Sequence, residues 1–336
     1  MAVDVPVQHD DAASLMTTDA TASEHPLAVE TRSLRKAYRR TIAVADLSLS
    51  VRQGEIFGFL GPNGAGKTTS VKMLMGLIRP TSGTARLLGR PLGDREAKRK
   101  IGFLPELFRF HDWLSGEELL DFHGKLYGMS ERERQRRIPE VLELVGLADR
   151  RKDLVRSYSK GMQQRAGLAQ ALLNDPSVVF LDEPTSALDP MGRLEVRNII
   201  RGLRDAGKTV FLNSHLLSEV EMVCDRVAII HRGQVAATGP VHDLVRHDLT
   251  VELVIGASGT GVESILEPHG VVREIEAAAA GRTMARLAVN DDDAIAHAVD
   301  DLVRAGIPVY AVTPHGRSLE ELFFEVVSAS EQERAR

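Results

Sequence analysis

Residues 56–74 read IFGFLGPNGAGKTTSVKML. The apolar run at 56–60 predicts a buried strand and the residues after Gly66 predict a helix, so a glycine-rich loop joins the two. Backbone amides freed by the glycines form a concavity for phosphate oxygens, and the helix N-terminus adds its positive end. Because the pattern GxxxxGKT stands in the strand, loop and helix order that it requires, we predict a nucleotide-binding loop rather than a chance glycine turn.

Residues of this loop have distinct expected roles. Lys67 is expected to reach the β- and γ-phosphates, and the Thr68 hydroxyl is expected to ligate Mg²⁺. We assign contact with the nucleotide to Gly61, Pro62, Asn63, Gly64, Ala65, Gly66, Lys67, Thr68 and Thr69. A nucleoside triphosphate and Mg²⁺ are therefore the expected ligands.

A second apolar run, Val178–Leu181, ends in two acids, Asp182 and Glu183. A nucleotide fold of this kind needs a carboxylate at the end of another strand, and Asp182 is expected to hold Mg²⁺ through water. Glu183 is then placed to orient and polarise the attacking water. The alternative is a purely structural turn with two strand-end acids. The next apolar run, Val210–Leu212, follows a predicted helix, and this alternation predicts a parallel sheet.

Composition narrows the class of protein. The 336 residues contain 42 Lys and Arg against 47 Asp and Glu, a net charge of -5 that argues against a general nucleic-acid partner. The single cysteine, Cys224, cannot form an internal disulfide, which fits the cytoplasm. No apolar run approaches the roughly 18 residues of a membrane span, so any function at a membrane needs another chain to cross it.

The pattern divides the chain into three parts. Residues 1–27 are acidic and are predicted to form a disordered tail. Residues 28–246 form the nucleotide-binding part, with a helical insert at about 107–175. Residues 247–336 are predicted to form an α+β accessory domain, because the order strand, helix, strand, strand, helix, strand is that of a ferredoxin-like fold. This part is expected to be regulatory or to mediate dimerisation.

Further motifs follow the loop in a fixed order. They are YSKGM at 158–162, the strand and acids at 178–183, SALD at 186–189, and His215. Together with the loop they resemble the ATP-binding subunits of ABC transporters, over about residues 28–246. The resemblance implies ATP as the nucleotide and the ABC cassette fold of the α/β P-loop NTPases. That fold has a parallel-sheet core, an antiparallel β subdomain and a helical insert.

The same resemblance implies roles for residues outside the loop. Ser159 and Gly161 are expected to bind the γ-phosphate of ATP held by a second subunit, and Asp189 belongs to the same nucleotide-contacting set. His215 is expected to contact the γ-phosphate, and Tyr38 to stack on adenine. The alternatives from residue chemistry alone are a helix cap for Ser159, a structural histidine and a loop tyrosine.

Two positions depart from the family pattern. The signature YSKG replaces the usual LSGG, a variant that resembles exporter ATPases of the ABC-2 type. Glu106 stands where the family has a glutamine that links Mg²⁺ to the helical insert. A carboxylate keeps an oxygen for the metal and loses the amide donor. We expect Glu106 to contact the nucleotide and metal, and the alternative is an acid that faces solvent.

Three aromatic residues, Phe108, Phe110 and Trp113, follow in the region where the family docks on its membrane partner. Burial in the core of the helical insert is an equally good interpretation.

The sequence as a whole predicts an ATPase subunit that energises export through a separate transmembrane permease. Glu183, His215 and Lys67 are its expected catalytic residues. The expected assembly is a homodimer, cytoplasmic and peripheral on the inner face of the cell membrane. The alternative is a soluble ABC-type ATPase acting on ribosomes or nucleic acid, although one cassette without sustained heptads disfavours it. A kinase or a switch GTPase can use the same phosphate loop, but neither class explains the motif YSKGM at 158–162.

Overall fold

The computed structural model describes residues 26–186, 188–246, 249–256, 261–316 and 318–335. The tail predicted at 1–27 falls outside this part except for Pro26 and Leu27, and Leu27 already belongs to the first strand. The predicted domain boundary at residue 247 also lies outside the described residues. No helix in the described ranges is long and apolar enough to cross a membrane.

Within the described residues, ten strands form one mixed sheet. They are β1 (Leu27–Tyr38), β2 (Thr41–Arg52), β3 (Ile56–Leu60), β4 (Ser82–Leu87), β5 (Arg90–Pro91), β6 (Ile101–Leu104), β7 (Val178–Asp182), β8 (Thr209–Asn213), β9 (Arg226–His231) and β10 (Gln234–Pro240). The order is β5-β4-β1-β2-β10-β9-β3-β8-β7-β6. Neighbours from β9 to β6 are parallel, and β5, β4, β1 and β2 are antiparallel. The predicted parallel core and antiparallel β subdomain are confirmed.

Eight helices accompany this sheet in the described part of the chain. They are α1 (Lys67–Leu74), α2 (Arg95–Arg99), α3 (Gly116–Leu126), α4 (Glu131–Leu144), α5 (Lys160–Leu172), α6 (Pro190–Asp205), α7 (Leu217–Val223) and α8 (Val241–Arg246). Helices α3, α4 and α5 form the helical insert. Helix α3 begins directly after Ser115, whose side chain and that of Glu118 form a capping box.

The central strands are buried on both faces, which explains their continuous apolar sequences. Ile56 and Leu60 of β3 face one core, and Phe57 and Phe59 face the other. Ring centroids of Phe180 and Phe211 lie 5.0 Å apart in that second core. Each fully buried Phe side chain stabilises the fold by about 1.5–3 kcal/mol. This packing holds the carboxyl ends of β3, β7 and β8 side by side, where α/β folds bind ligands.

A second, four-stranded sheet follows. Its elements are β11 (Leu249–Gly256), α9 (Val262–Leu266), β12 (Val271–Ala278), β13 (Arg282–Val289), α10 (Asp292–Arg304) and β14 (Val309–His315). The strand order is β12-β13-β11-β14 and every pair is antiparallel, as in a ferredoxin-like fold. Residues from α9 and α10 close its own core. The predicted fold class is therefore confirmed for both sheets.

The last helix, α11 (Leu319–Ala335), packs against α7 and α8 rather than completing the core of the second sheet. Leu319 is fully buried, and Leu322, Phe323 and Val326 pack on the same cluster as α7. The backbone N–H of Leu319 donates to Oε2 of Glu221 at 3.1 Å. Sequence analysis places α11 in the accessory domain, and the structure packs its apolar stripe on the cassette because α9 and α10 already cover the second sheet.

Candidate nucleotide site

The glycine-rich loop lies between β3 and α1 and depends on glycine at two points. Gly66 has φ 106°, and a Cβ there would lie 2.4 Å from the carbonyl oxygen of Ala43. A Cβ on Gly61 would lie 2.3 Å from the carbonyl oxygen of Ile230. Both distances are shorter than any real Cβ contact, so no side chain fits at either position. The backbones of β2 and β9 therefore lie in direct contact with the loop. This close packing holds the backbone amides in place beside the start of α1.

Lys67 is the first residue of α1 and is buried. Its Nζ donates to the carbonyl oxygens of Gly61 at 2.6 Å and of Pro62 at 3.3 Å. Burial lowers the pKa of Lys67, and the charges of Glu183, Asp182 and Glu106 oppose that shift. The structure thus places three sequence-predicted acids around the ammonium group of Lys67.

Asp182 ends β7 and is buried beside the end of β8. Nδ2 of Asn213 and the backbone N–H of Glu106 both donate to its carboxylate. Burial raises the pKa of Asp182 and the Asn213 bond opposes the rise, as does the charge of Lys67. Sequence analysis missed Asn213, although a polar residue at the end of the apolar strand 209–213 indicates this position.

Glu183 and His215 form a pair across the carboxyl edge of the sheet. Oε2 of Glu183 lies 2.7 Å from Nδ1 of His215. The Glu183 backbone has φ 53°, in the left-handed region, and its N–H donates to the Asn213 carbonyl at 2.8 Å. Burial raises the pKa of Glu183, and the contacts with His215 and Lys67 lower it. A buried carboxylate with a raised pKa, oriented by a partner, has the properties of a general base.

The oxygen atoms around Lys67 are suitable ligands for Mg²⁺. Thr68 adds an exposed hydroxyl in the first turn of α1, and Asp182 and Glu106 add carboxylates. All three are hard oxygen ligands, which Mg²⁺ prefers. Oδ1 of Asn213 is buried without a hydrogen-bond partner among the described residues, and a water bound to Mg²⁺ would supply the donor that it lacks.

The signature residues lie elsewhere. Ser159 begins α5, and its Oγ accepts from the backbone N–H of Met162 at 3.3 Å. Asp189 begins α6 and accepts from the N–H of Gly192 at 2.7 Å. With Gly161 they line a cavity of about 390 Å³ in which two helix N-termini converge. Helix capping and anion binding use the same free amides, so the cap at Ser159 is compatible with a phosphate site.

The predicted site residues are therefore split between two places in one chain. A smaller cavity of about 220 Å³ borders the phosphate loop, and its lining is Gly61, Pro62, Asn63, Ser214, His215, Leu217 and Phe323. Among the residues that the structure describes, none lines both this cavity and the one at Ser159.

Tyr38 ends β1 opposite Thr41, on the hairpin that reaches the loop at Ala43. Its ring is half exposed, and Nζ of Lys36 lies 4.8 Å from the ring centroid. This position beside the loop is compatible with adenine stacking, which stays a prediction.

The aromatic residues after Glu106 have divided roles. Phe108 and Phe110 pack on each other, with ring centroids 4.8 Å apart, and on the cassette core. Trp113 has 67% of its surface exposed, and Leu107 is exposed as well. Core packing thus accounts for the two phenylalanines and leaves Trp113 and Leu107 on the surface.

Comparison with known proteins decides the family. The family model described as "ABC transporter" matches residues 44–186. An uncharacterised ABC transporter ATP-binding protein of Synechocystis is 48% identical over an alignment of 256 residues, and the alignment covers 72% of this chain and 72% of that protein. The chain belongs to the ABC transporter ATP-binding proteins. It is an ATPase of that family, and ATP is its nucleotide.

Two further relatives of this ABC ATPase carry more specific names. The Nod factor export ATP-binding protein I of Cupriavidus pinatubonensis is 38% identical over 67% of this chain and 70% of that protein. The ATP-binding cassette MJ0796, solved as a dimer in a post-hydrolysis state with ADP and Pi, has 27% identity. Its TM-score is 0.58, over 63% of this chain and 98% of that one.

Proposed function

We propose that this ABC ATPase works as a homodimer that energises export through a separate transmembrane permease. The observation that carries the dimer is the split site, because Lys67 and Glu183 interact at the phosphate loop whereas Ser159 and Gly161 line a separate cavity. A second copy of the chain brings its Ser159 cavity over the first copy's phosphate loop. The dimeric relative and the relative named for export support both parts of the proposal.

Each group at the phosphate loop has a role in hydrolysis. Lys67 balances charge on the β- and γ-phosphates, and Glu183 accepts a proton from the attacking water. His215 orients Glu183 through its Nδ1 and contacts the γ-phosphate. Tyr38 stacks on adenine, a contact worth about 1–3 kcal/mol. Thr68, Asp182 and Glu106 would hold Mg²⁺, which neutralises phosphate charge when bound.

The second subunit completes the site. The amide of Gly161 and the hydroxyl of Ser159 bind the γ-phosphate at the N-terminus of α5, where the helix dipole favours negative charge. Asp189 shapes the same cavity from the start of α6. Since one chain carries both halves, a homodimer has two competent sites and needs no second type of ATPase subunit.

The permease contact is proposed to lie beside Glu106. Trp113 and Leu107 are large apolar side chains on the surface, and exposed aromatic residues are favoured anchors in interfaces. A permease bound to Trp113 and Leu107 lies beside Glu106, and Glu106 interacts with Asp182 at the nucleotide site. The ATPase is then peripheral on the cytoplasmic face of the membrane.

Trp113→Ala is expected to keep ATP binding and to lose most of the co-purification of a membrane protein from detergent-solubilised membranes. Removal of a central interface aromatic typically costs 2 kcal/mol or more, about a thirtyfold loss of affinity. Tyr310→Ala is the matched control, because Tyr310 is also an exposed aromatic and lies on β14. Equal capture by both variants would contradict the docking surface. Recovery of ribosomes or nucleic acid instead of a membrane protein would support the soluble alternative.

Glu106→Gln is expected to raise the Mg²⁺ concentration needed for half-maximal ATPase activity by about tenfold, because it removes a negative charge beside the metal. Glu106→Ala should show at least as large a shift. The control is Glu143→Gln, an exposed acid on α4. Identical Mg²⁺ titrations for the wild type and both Glu106 variants would show that this carboxylate faces only solvent.

A further inference from the structure

Phe323 of the C-terminal helix α11 reaches the nucleotide site. It shares the cavity of about 220 Å³ with three loop residues and with the segment that contains His215. Phe323 is not among the site residues that the sequence predicts. In the structure it borders the phosphate loop, and within the described part of the accessory domain no other element lines that cavity.

Helix α11 is firmly attached at this place. Its first turn is capped by Ser318, whose backbone N–H donates to Glu321 at 2.8 Å. The Glu221 side chain of α7 accepts from the N–H of Leu319 at 3.1 Å, and Leu319 itself is fully buried. Leu322 packs on the same core. Polar and apolar contacts therefore bind α11 to α7.

Helix α7 begins two residues after His215. In this short connection the Leu216 N–H donates to Oγ of Ser214 at 3.1 Å, and the Leu216 carbonyl accepts from the N–H groups of Glu219 and Val220. The His215 side chain is 53% exposed, so little packing of its own restrains it. Its contact with Glu183 thus depends on how α7 and the cavity wall hold the segment 214–217.

We propose that Phe323 is a positioning residue for ATP hydrolysis. Its ring supports the segment 214–217 in the conformation in which His215 contacts Glu183. Because α11 follows β14 after a short connection, the position of the accessory domain is coupled to the same contact. This inference rests on the proposed role of His215 in hydrolysis.

Phe323→Ala in the full-length chain is expected to lower kcat for ATP about tenfold with KM changed less than twofold, because the phosphate loop that binds ATP is intact while His215 is misplaced. Phe323→Leu should recover most of kcat, since it restores apolar volume. Amide hydrogen exchange at 214–217 should become faster in Phe323→Ala.

Phe324→Ala is the matched control, because the neighbouring ring is 59% exposed and does not line the cavity. It should keep wild-type kcat. The proposal is overturned if Phe323→Ala keeps wild-type kcat. It is also overturned if kcat and ATP binding are lost together with the melting temperature and Phe323→Leu restores neither.

His215→Ala separates this inference from the function on which it rests. Unchanged hydrolysis in His215→Ala would show that the role of His215 is wrong, and the inference would fall with it. Slow hydrolysis in His215→Ala together with normal hydrolysis in Phe323→Ala would overturn the inference alone. If both residues act through one contact, the double variant should be no slower than His215→Ala.

Discussion

Glu183→Gln is expected to bind ATP normally and to hydrolyse it about 10²- to 10⁴-fold more slowly than the wild type, which corresponds to roughly 3–5 kcal/mol of barrier. The amide keeps the size and most of the packing of the side chain but cannot accept a proton from water. The contact with Nδ1 of His215 can persist through the amide oxygen. Binding and chemistry should therefore separate in this variant.

Two measurements check the expectation for Glu183→Gln. Steady-state release of phosphate reports hydrolysis, and size-exclusion chromatography with ATP should show a dimer that persists because the nucleotide is not consumed. Glu143→Gln, the exposed acid on α4, should behave as the wild type in both. If Glu183→Gln hydrolyses ATP at the wild-type rate, Glu183 is not the general base.

The pH profile gives an independent reading of the same residue. Burial raises the pKa of Glu183 above 4.5, although His215 and Lys67 oppose the shift. The ionised form is the base, so kcat of the wild type should fall as pH falls through that raised pKa. The residual activity of Glu183→Gln should lack this step, because glutamine does not titrate.

A mixture of two inactive variants, Lys67→Ala and Ser159→Arg, is expected to hydrolyse ATP. In a mixed dimer the wild-type loop of one chain faces the wild-type Ser159 region of the other, which rebuilds one site. If chains exchange at random and sites act independently, the mixture should recover about a quarter of the wild-type rate. Ser159→Arg fills the cavity of about 390 Å³ that Ser159 lines with Gly161 and Asp189, so the signature of that chain can no longer bind phosphate.

Each variant alone supplies the baseline for this experiment, and dimers of one variant have no complete site. Exchange of chains is demonstrated separately, with two different affinity tags captured in sequence. Demonstrated mixed dimers without recovered activity would contradict a site shared between subunits. The complementation thus tests the dimer independently of Glu183.

Features built from neighbouring residues were predictable from the sequence. The phosphate loop at 61–68 needs one strand, one turn and one helix that are contiguous in the chain. The caps at Ser115 and Ser159 each act on a backbone N–H three residues away. The ferredoxin-like sheet follows from the order of its elements. Local periodicity and capping chemistry are sufficient for such features.

The pairings inside the site needed the tertiary structure. Asp182 and Asn213 meet because β7 and β8 are neighbours in register, and Glu106 joins them because β6 pairs with β7 on the other side. The sequence alone marks Asp182 and Glu106 as candidates without showing that Asn213, the last residue of β8, lies beside Asp182. Strand order and register are set by packing across the whole sheet.

The sequence by itself determined the family motifs, the phosphate loop and the two fold classes, because each rests on residues close together in the chain or on the order of elements. Only the tertiary structure showed that Phe323 borders the same cavity as His215, that Phe108 packs on the core while Trp113 is exposed, and that α11 packs on α7. The physical reason is that an apolar face on a helix shows that the face is buried, but it does not show which other element covers it. The choice depends on which surfaces other elements leave uncovered, and that follows from packing between distant segments.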